Sequence, residues 1–151
     1  MPSPELVGAV TDVSFAEPTT VAVDLVEPRR RIARAAGEEE RWFLRVEGIQ
    51  GDLPEAAAFA VLLQSATPGE EAIRVGSIGA FGIEEASQAD DTHDGTGLTD
   101  VFDITEHVRA LDGRGAWDAT TATVRIVPVD AAGDEASGGN VRARRVSIYR
   151  G

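Results

Sequence analysis

WFLRVEGI, Trp42 to Ile49, is the stretch whose reading decides the fold. Trp42, Leu44 and Val46 fall on one side of an extended backbone, while Phe43, Arg45 and Glu47 fall on the other. This period-two alternation is the mark of a strand with one buried face. Further along lie more apolar runs of strand length: AAFAVLL (Ala57 to Leu63), RVGSIGAFGI (Arg74 to Ile83), GLTDVFDI (Gly97 to Ile104), ATVRIVPV (Ala122 to Val129) and VRARRVSIY (Val141 to Tyr149). Before it lie VTDVSF (Val10 to Phe15) and TTVAVDL (Thr19 to Leu25), the second alternating Val21, Val23 and Leu25 with Thr20, Ala22 and Asp24. The runs are bounded by Gly, Pro, Asp or Asn, so the pattern predicts an all-β antiparallel sandwich or barrel of about seven to eight strands.

Within that frame, Phe59, Val61 and Leu63 share one face of their strand and Ala58, Ala60 and Leu62 the other, which predicts burial on both faces. Gly76, Gly79 and Gly82 recur in a single segment, and glycine in a strand marks a bulge, a corner or a close backbone approach. The same glycines do not make a phosphate loop, since no helical pattern follows them. One short helix is expected in ITEHVRALDG, with Asp103 as N-cap, Glu106 completing a capping box, Val108 and Leu111 on one face, and Gly113 as the stop. Glu27 to Glu40, with its Arg and Glu runs, reads as a solvated connection, and a binding arm is the second reading. The chain is thus expected to be one domain over 1–151, with N-terminal strands and linker at 1–40 and the core at 41–151.

Composition narrows the chemistry. The 151 residues carry 14 Lys and Arg against 26 Asp and Glu, a formal charge of −12, and every basic residue is Arg. Nucleic-acid affinity rests on neutralising phosphates with cations, so such a partner is not expected. Without Cys or Lys, the chain has no thiolate chemistry, disulfides or lysine catalysis. No run reaches the roughly 18 apolar residues of a membrane span, and MPSPELVGAV is no secretory signal. The expectation is a soluble chain, cytoplasmic or processed from a larger precursor.

His93 and His107 are the only histidines, too few for a dinuclear copper or histidine-rich zinc centre. A Ser-His-Asp triad has no nucleophile-elbow motif to support it. Asp90, Thr92 and Asp94 before Gly95 have the opening spacing of a calcium loop, but Val101 stands where its bidentate Glu belongs; an acidic solvated turn is the stronger reading. No catalytic residue is assigned. Arg142, Arg144, Arg145 and Arg150 form the dense basic strand of an acidic chain, and read either as partners of neighbouring carboxylates or as a surface docking onto an acidic partner.

Taken in order, the segments resemble the C-terminal domain of tyrosinases and polyphenol oxidases. WFLRVEGI looks like the family's strand ending in Glu-Gly. AAFAVLLQ (Ala57 to Gln64) occupies the place of the plant Lys-Phe-Asp-Val signature, with Phe59 and Val61 matching and Ala58 and Ala60 departing, which points to a bacterial relative. VGSIGAFGI (Val75 to Ile83), GLTDVFDITEHVRAL (Gly97 to Leu111), TVRIVPVD (Thr123 to Asp130) and RARRVSIYR (Arg142 to Arg150) continue the likeness, and ELVGAV (Glu5 to Val10) looks like the join to a catalytic part.

The resemblance implies a jelly-roll-like sandwich over the entrance of a type-3 dicopper site. It would bind no cofactor itself, would shield the oxidase, keep it latent and assist its folding, and its partner would be a tyrosinase-like catalytic domain on the same or a separate chain. Phe81, flanked by glycines, is the candidate plug for the partner's pocket. The alternative is a free-standing β-sandwich module for calcium or carbohydrate, for which an exposed Trp42 or Trp117 would speak. A hydrolase on a β scaffold is a third reading.

Overall fold

The structure is a computed structural model and describes residues 4–26, 40–52, 55–80, Ile83 and 97–151. The strands are β1 (Glu5–Ser14), β2 (Thr19–Asp24), β3 (Trp42–Gln50), β4 (Ala58–Leu63), β5 (Ile73–Gly79), β6 (Leu98–Asp103), β7 (Thr121–Val129) and β8 (Arg142–Arg150), with helix α1 (Thr105–Gly113) between β6 and β7. They form two antiparallel four-stranded sheets, ordered β1-β8-β3-β6 and β2-β7-β4-β5. The all-β expectation holds, and the form is an open sandwich with no closed barrel.

Strand pairing is nested: β1 with β8, β2 with β7, β3 with β6, β4 with β5. The chain is paired from its ends toward its middle and then rolled, so that β8 also meets β3 and β7 also meets β4. This is the strand order of a double-sheet jelly roll. Leu44, Val46, Ile49, Phe59, Val61, Leu63, Val124, Ile126, Val146 and Ile148 are fully buried between the sheets. Phe15, from the β1–β2 turn, closes one end of this core with its ring 5.6 Å from that of Phe59. On the outer face of β4 Ala60 is buried and Ala58 and Leu62 are half-buried, which agrees with the two-faced burial expected.

Two irregularities shape the sheets. The β4–β5 register shifts so that Val61 opposes Gly76 and Leu62 opposes Arg74, leaving Val75 as the extra residue of a bulge beside the glycine. A Cβ on Gly76 would lie 2.5 Å from two ring carbons of Phe102 in β6. The missing side chain is therefore the space into which an aromatic of the opposite sheet fits. In β3 the register against β6 shifts between Val46 and Ile49, and Gly48 takes φ 64°. That bulge explains why Val46 and Ile49, three residues apart, both point inward.

Two expectations need correction. The first strand, expected from Val10 to Phe15, already begins at Glu5 and ends at Ser14. The capping box does not form: Ile104 is the N-cap residue and makes no side-chain cap bond. Asp103 ends β6 with its carboxylate accepting from the Thr105 N–H at 3.0 Å, and Glu106 pairs with Arg109 at 2.8 Å. The β6 pairing keeps Asp103 extended for a further residue, so the helix starts too late for its side chain to reach the third helical N–H. Val108 and Leu111 are buried and the helix ends at Gly113, as expected.

Candidate interaction surface

Cross-strand neighbours share a face, so register alone assembles the outer surface of the β1-β8-β3-β6 sheet. Leu6, Tyr149, Phe43 and Asp103 make one row across it, and Ala9, Ser147, Arg45 and Val101 the next. Thr11, Arg145 and Glu47 follow. An outer sheet face in contact with water is ordinarily polar. Here Leu6 is 41% exposed and Val101 52% exposed, beside the half-buried rings of Phe43 and Tyr149.

The centre of the face is a closed charge network. Arg145 donates from Nε to Glu47 Oε2 at 2.6 Å and from Nη2 to Oε1 at 3.1 Å, a bidentate pair. The Ser147 hydroxyl donates to the same Oε2 at 2.9 Å. Arg45 approaches Glu47 Oε1 at 3.4 Å, places its guanidinium 5.3 Å from the Tyr149 ring centre, and donates to the Tyr149 hydroxyl at 3.3 Å. Glu47 and Ser147 are buried although they point out of the sheet, because the long side chains fold over them. Hydrogen bonding from Arg145 holds the Glu47 carboxyl below its ordinary pKa; burial opposes this, and Ser147 and the charges of Arg145 and Arg45 reinforce it. Arg145 is correspondingly raised, chiefly by its bond to Glu47. Arg45 Nε is buried and has no hydrogen-bond partner.

A second cluster sits where β3 begins and β8 ends. Trp42 is buried, meets Trp117 edge-on with ring centres 5.4 Å apart, and lies under the Arg150 guanidinium at 4.9 Å. Arg150 also pairs with Glu40. Thr105, buried, receives the Trp42 N–H on its hydroxyl at 2.9 Å. Nearby, Asp103 is held below its ordinary pKa: burial raises it, but the hydrogen bonds from Thr105 and the Arg41 guanidinium outweigh burial.

The four arginines singled out in β8 are thus separated by the fold. Arg145 is in the network, Arg150 is stacked on Trp42, and Arg142 and Arg144 are exposed. Phe81 and Asp90, Thr92, His93 and Asp94 lie outside the described residues. His107 is half-buried on α1. Among the described residues no group of three or more His, Cys, Asp or Glu is placed to hold a metal ion, and no helix is long and apolar enough to cross a membrane. Arg45, Glu47, Ser147 and Tyr149 were not legible as a site. Their signal was present in the outward positions of WFLRVEGI and RARRVSIYR, but only the pairing of those two strands brings it together.

Residues 3–151 match a family model described as a domain of unknown function, DUF7868. The chain belongs to that family. It is also similar to a protein named as a tyrosinase from Hahella sp. (strain CCB-MM4), 31% identical over 136 residues. The match takes in 85% of this chain and 29% of that relative, so the chain spans less than a third of the tyrosinase-named protein. The family member described here is therefore related to one part of a tyrosinase-like protein.

Proposed function

We propose that this chain is a single non-catalytic domain that acts as the C-terminal shielding part of a tyrosinase-like dicopper oxidase, covering its active-site entrance and assisting its folding. One observation carries the reading: nearly the whole chain is similar to less than a third of a tyrosinase-named relative. The remaining two-thirds of such a protein is ample for a separate copper-bearing part. The jelly-roll sandwich agrees with a covering role, since its outer sheet faces offer broad rigid surfaces. Copper fits the partner and not this chain, because two histidines and no cysteine cannot supply a histidine-ligated pair of metal ions.

The test is a titration of the purified chain into a copper-loaded tyrosinase that has no such domain, following monophenol oxidation. The expected result is a saturable fall in rate, with recovery after the added chain is proteolysed. An unchanged rate at saturating chain overturns the shielding role.

A further inference from the structure

The outer face of the β1-β8-β3-β6 sheet combines features that a solvent-facing sheet surface does not need. Its apolar members, Leu6, Tyr149 and Phe43 in one row and Val101 at the end of the next, lie together along one side of the charged groups. Isolated exposed apolar residues carry no meaning, whereas a contiguous apolar group bordered by polar residues marks an interaction surface. In a chain of net charge −12, the centre of this face holds two guanidinium groups, Arg45 and Arg145, against the single carboxylate of Glu47. Glu47 is already satisfied by Arg145 and Ser147. Asp103, on the same face, is paired with Arg41, so these groups together leave one positive charge in excess, opposite in sign to the whole molecule. Arg45 keeps 37% of its side chain exposed, so a partner can reach it from the solvent side.

The geometry points to this face as the surface onto which a catalytic part docks through an acidic, apolar-flanked segment, with a carboxylate received by the guanidinium of Arg45. The partner's identity rests on the function proposed above. The chemistry of the contact rests on the face itself: an excess guanidinium calls for a carboxylate, and the apolar group of Leu6, Phe43, Val101 and Tyr149 calls for apolar neighbours that exclude water. A second copy of this chain fits poorly. Two-fold pairing would bring together two bodies of charge −12. Four strands about 4.8 Å apart, three of them nine or ten residues long and β6 six, give a face of at most roughly 15 by 30 Å. A stable interface buries about 800 Å² on each partner, so surrounding loops belong to the footprint as well.

The probe is again a copper-loaded tyrosinase without such a domain, now immobilised so that binding is read separately from inhibition. Wild-type chain is expected to bind, more weakly as NaCl rises from about 0.05 to 0.5 M. Arg45→Glu should weaken binding about a hundredfold and Val101→Asp about tenfold, while Arg125→Glu, exposed on the outer face of the other sheet, should stay within about twofold. Val101 is exposed, so its variant keeps the test open should Arg45→Glu fold badly by circular dichroism.

Binding without inhibition, weakened by Arg45→Glu and Val101→Asp but not by Arg125→Glu, defeats the shielding role and supports this face. Inhibition that persists undiminished in both Arg45→Glu and Val101→Asp defeats this face and spares the shielding role. Absence of wild-type binding overturns the proposal, as does equal weakening by Arg125→Glu. So does a dimer of the chain alone, seen by sedimentation and abolished by Arg45→Glu, because the face would then belong to a second copy.

Discussion

Glu47 shows how one side chain can serve both folding and surface chemistry. Its carboxylate is buried, bonded twice by Arg145 and once by Ser147, and held ionised below its ordinary pKa. Removing one member of such a pair leaves the other poorly satisfied, so Glu47→Gln should cost about 1–3 kcal/mol at neutral pH by urea denaturation. The pH dependence follows from the direction of the shift. A depressed folded pKa contributes stability that is fully present above the unfolded value, about 4.3 for Glu. That contribution is lost as the pH falls through the lower folded value. Wild type should therefore lose more stability than Glu47→Gln between pH 6 and pH 3, and parallel pH profiles would show that Glu47 carries no linked stability.

At the scale of the element, β5 and β6 illustrate fit across the sandwich. They belong to different sheets, and Phe102 lies over the backbone of β5 where Gly76 has no side chain. Gly76→Ala places a methyl group 2.5 Å from the ring and should destabilise by about 1–3 kcal/mol, the usual cost of overpacking. Adding Phe102→Leu should recover part of that loss, since a smaller side chain leaves room for the methyl group. Equal denaturation midpoints for the single and double variants would remove this account of the glycine. The glycine-rich segment announced a bulge in the sequence, but the ring that fills the gap comes from a strand more than twenty residues later. The Asp103 cap fails for a related reason: a local motif promised an N-cap, and pairing with β3 keeps that residue in the strand.

For the molecule as a whole, charge is the dominant long-range term. With 26 acidic residues against 14 basic ones, the folded chain repels itself, and the repulsion is screened by salt. Raising NaCl from about 0.02 to 0.3 M should lift the thermal midpoint by about 2–4 °C, corresponding to about 1 kcal/mol at this chain length. The same salt should weaken docking, because the proposed contact opposes an arginine-centred face to an acidic segment. Salt thus separates the two effects: stability of the isolated chain rises while association falls. A midpoint that drops with salt would mean that local pairs such as Arg145 with Glu47 outweigh the net repulsion.

Much of the architecture was readable before any coordinates, because strand formation depends on neighbours in the chain. Alternation in WFLRVEGI, TTVAVDL and ATVRIVPV places one side of each strand in the core, and turn residues mark where each ends. The order of the segments also carried the family likeness, and composition alone left too few histidines for a copper pair. Partnership was decided by the tertiary fold, since hydrogen bonding between strands is indifferent to their separation in the chain. Only the nested pairing of β1 with β8, and the rolling that brings β8 against β3, sets Leu6 beside Tyr149, and Arg145 beside Glu47. Periodicity can say that Arg45 and Tyr149 both face outward from their strands; it takes the sheet to bring them within hydrogen-bond reach, at 3.3 Å.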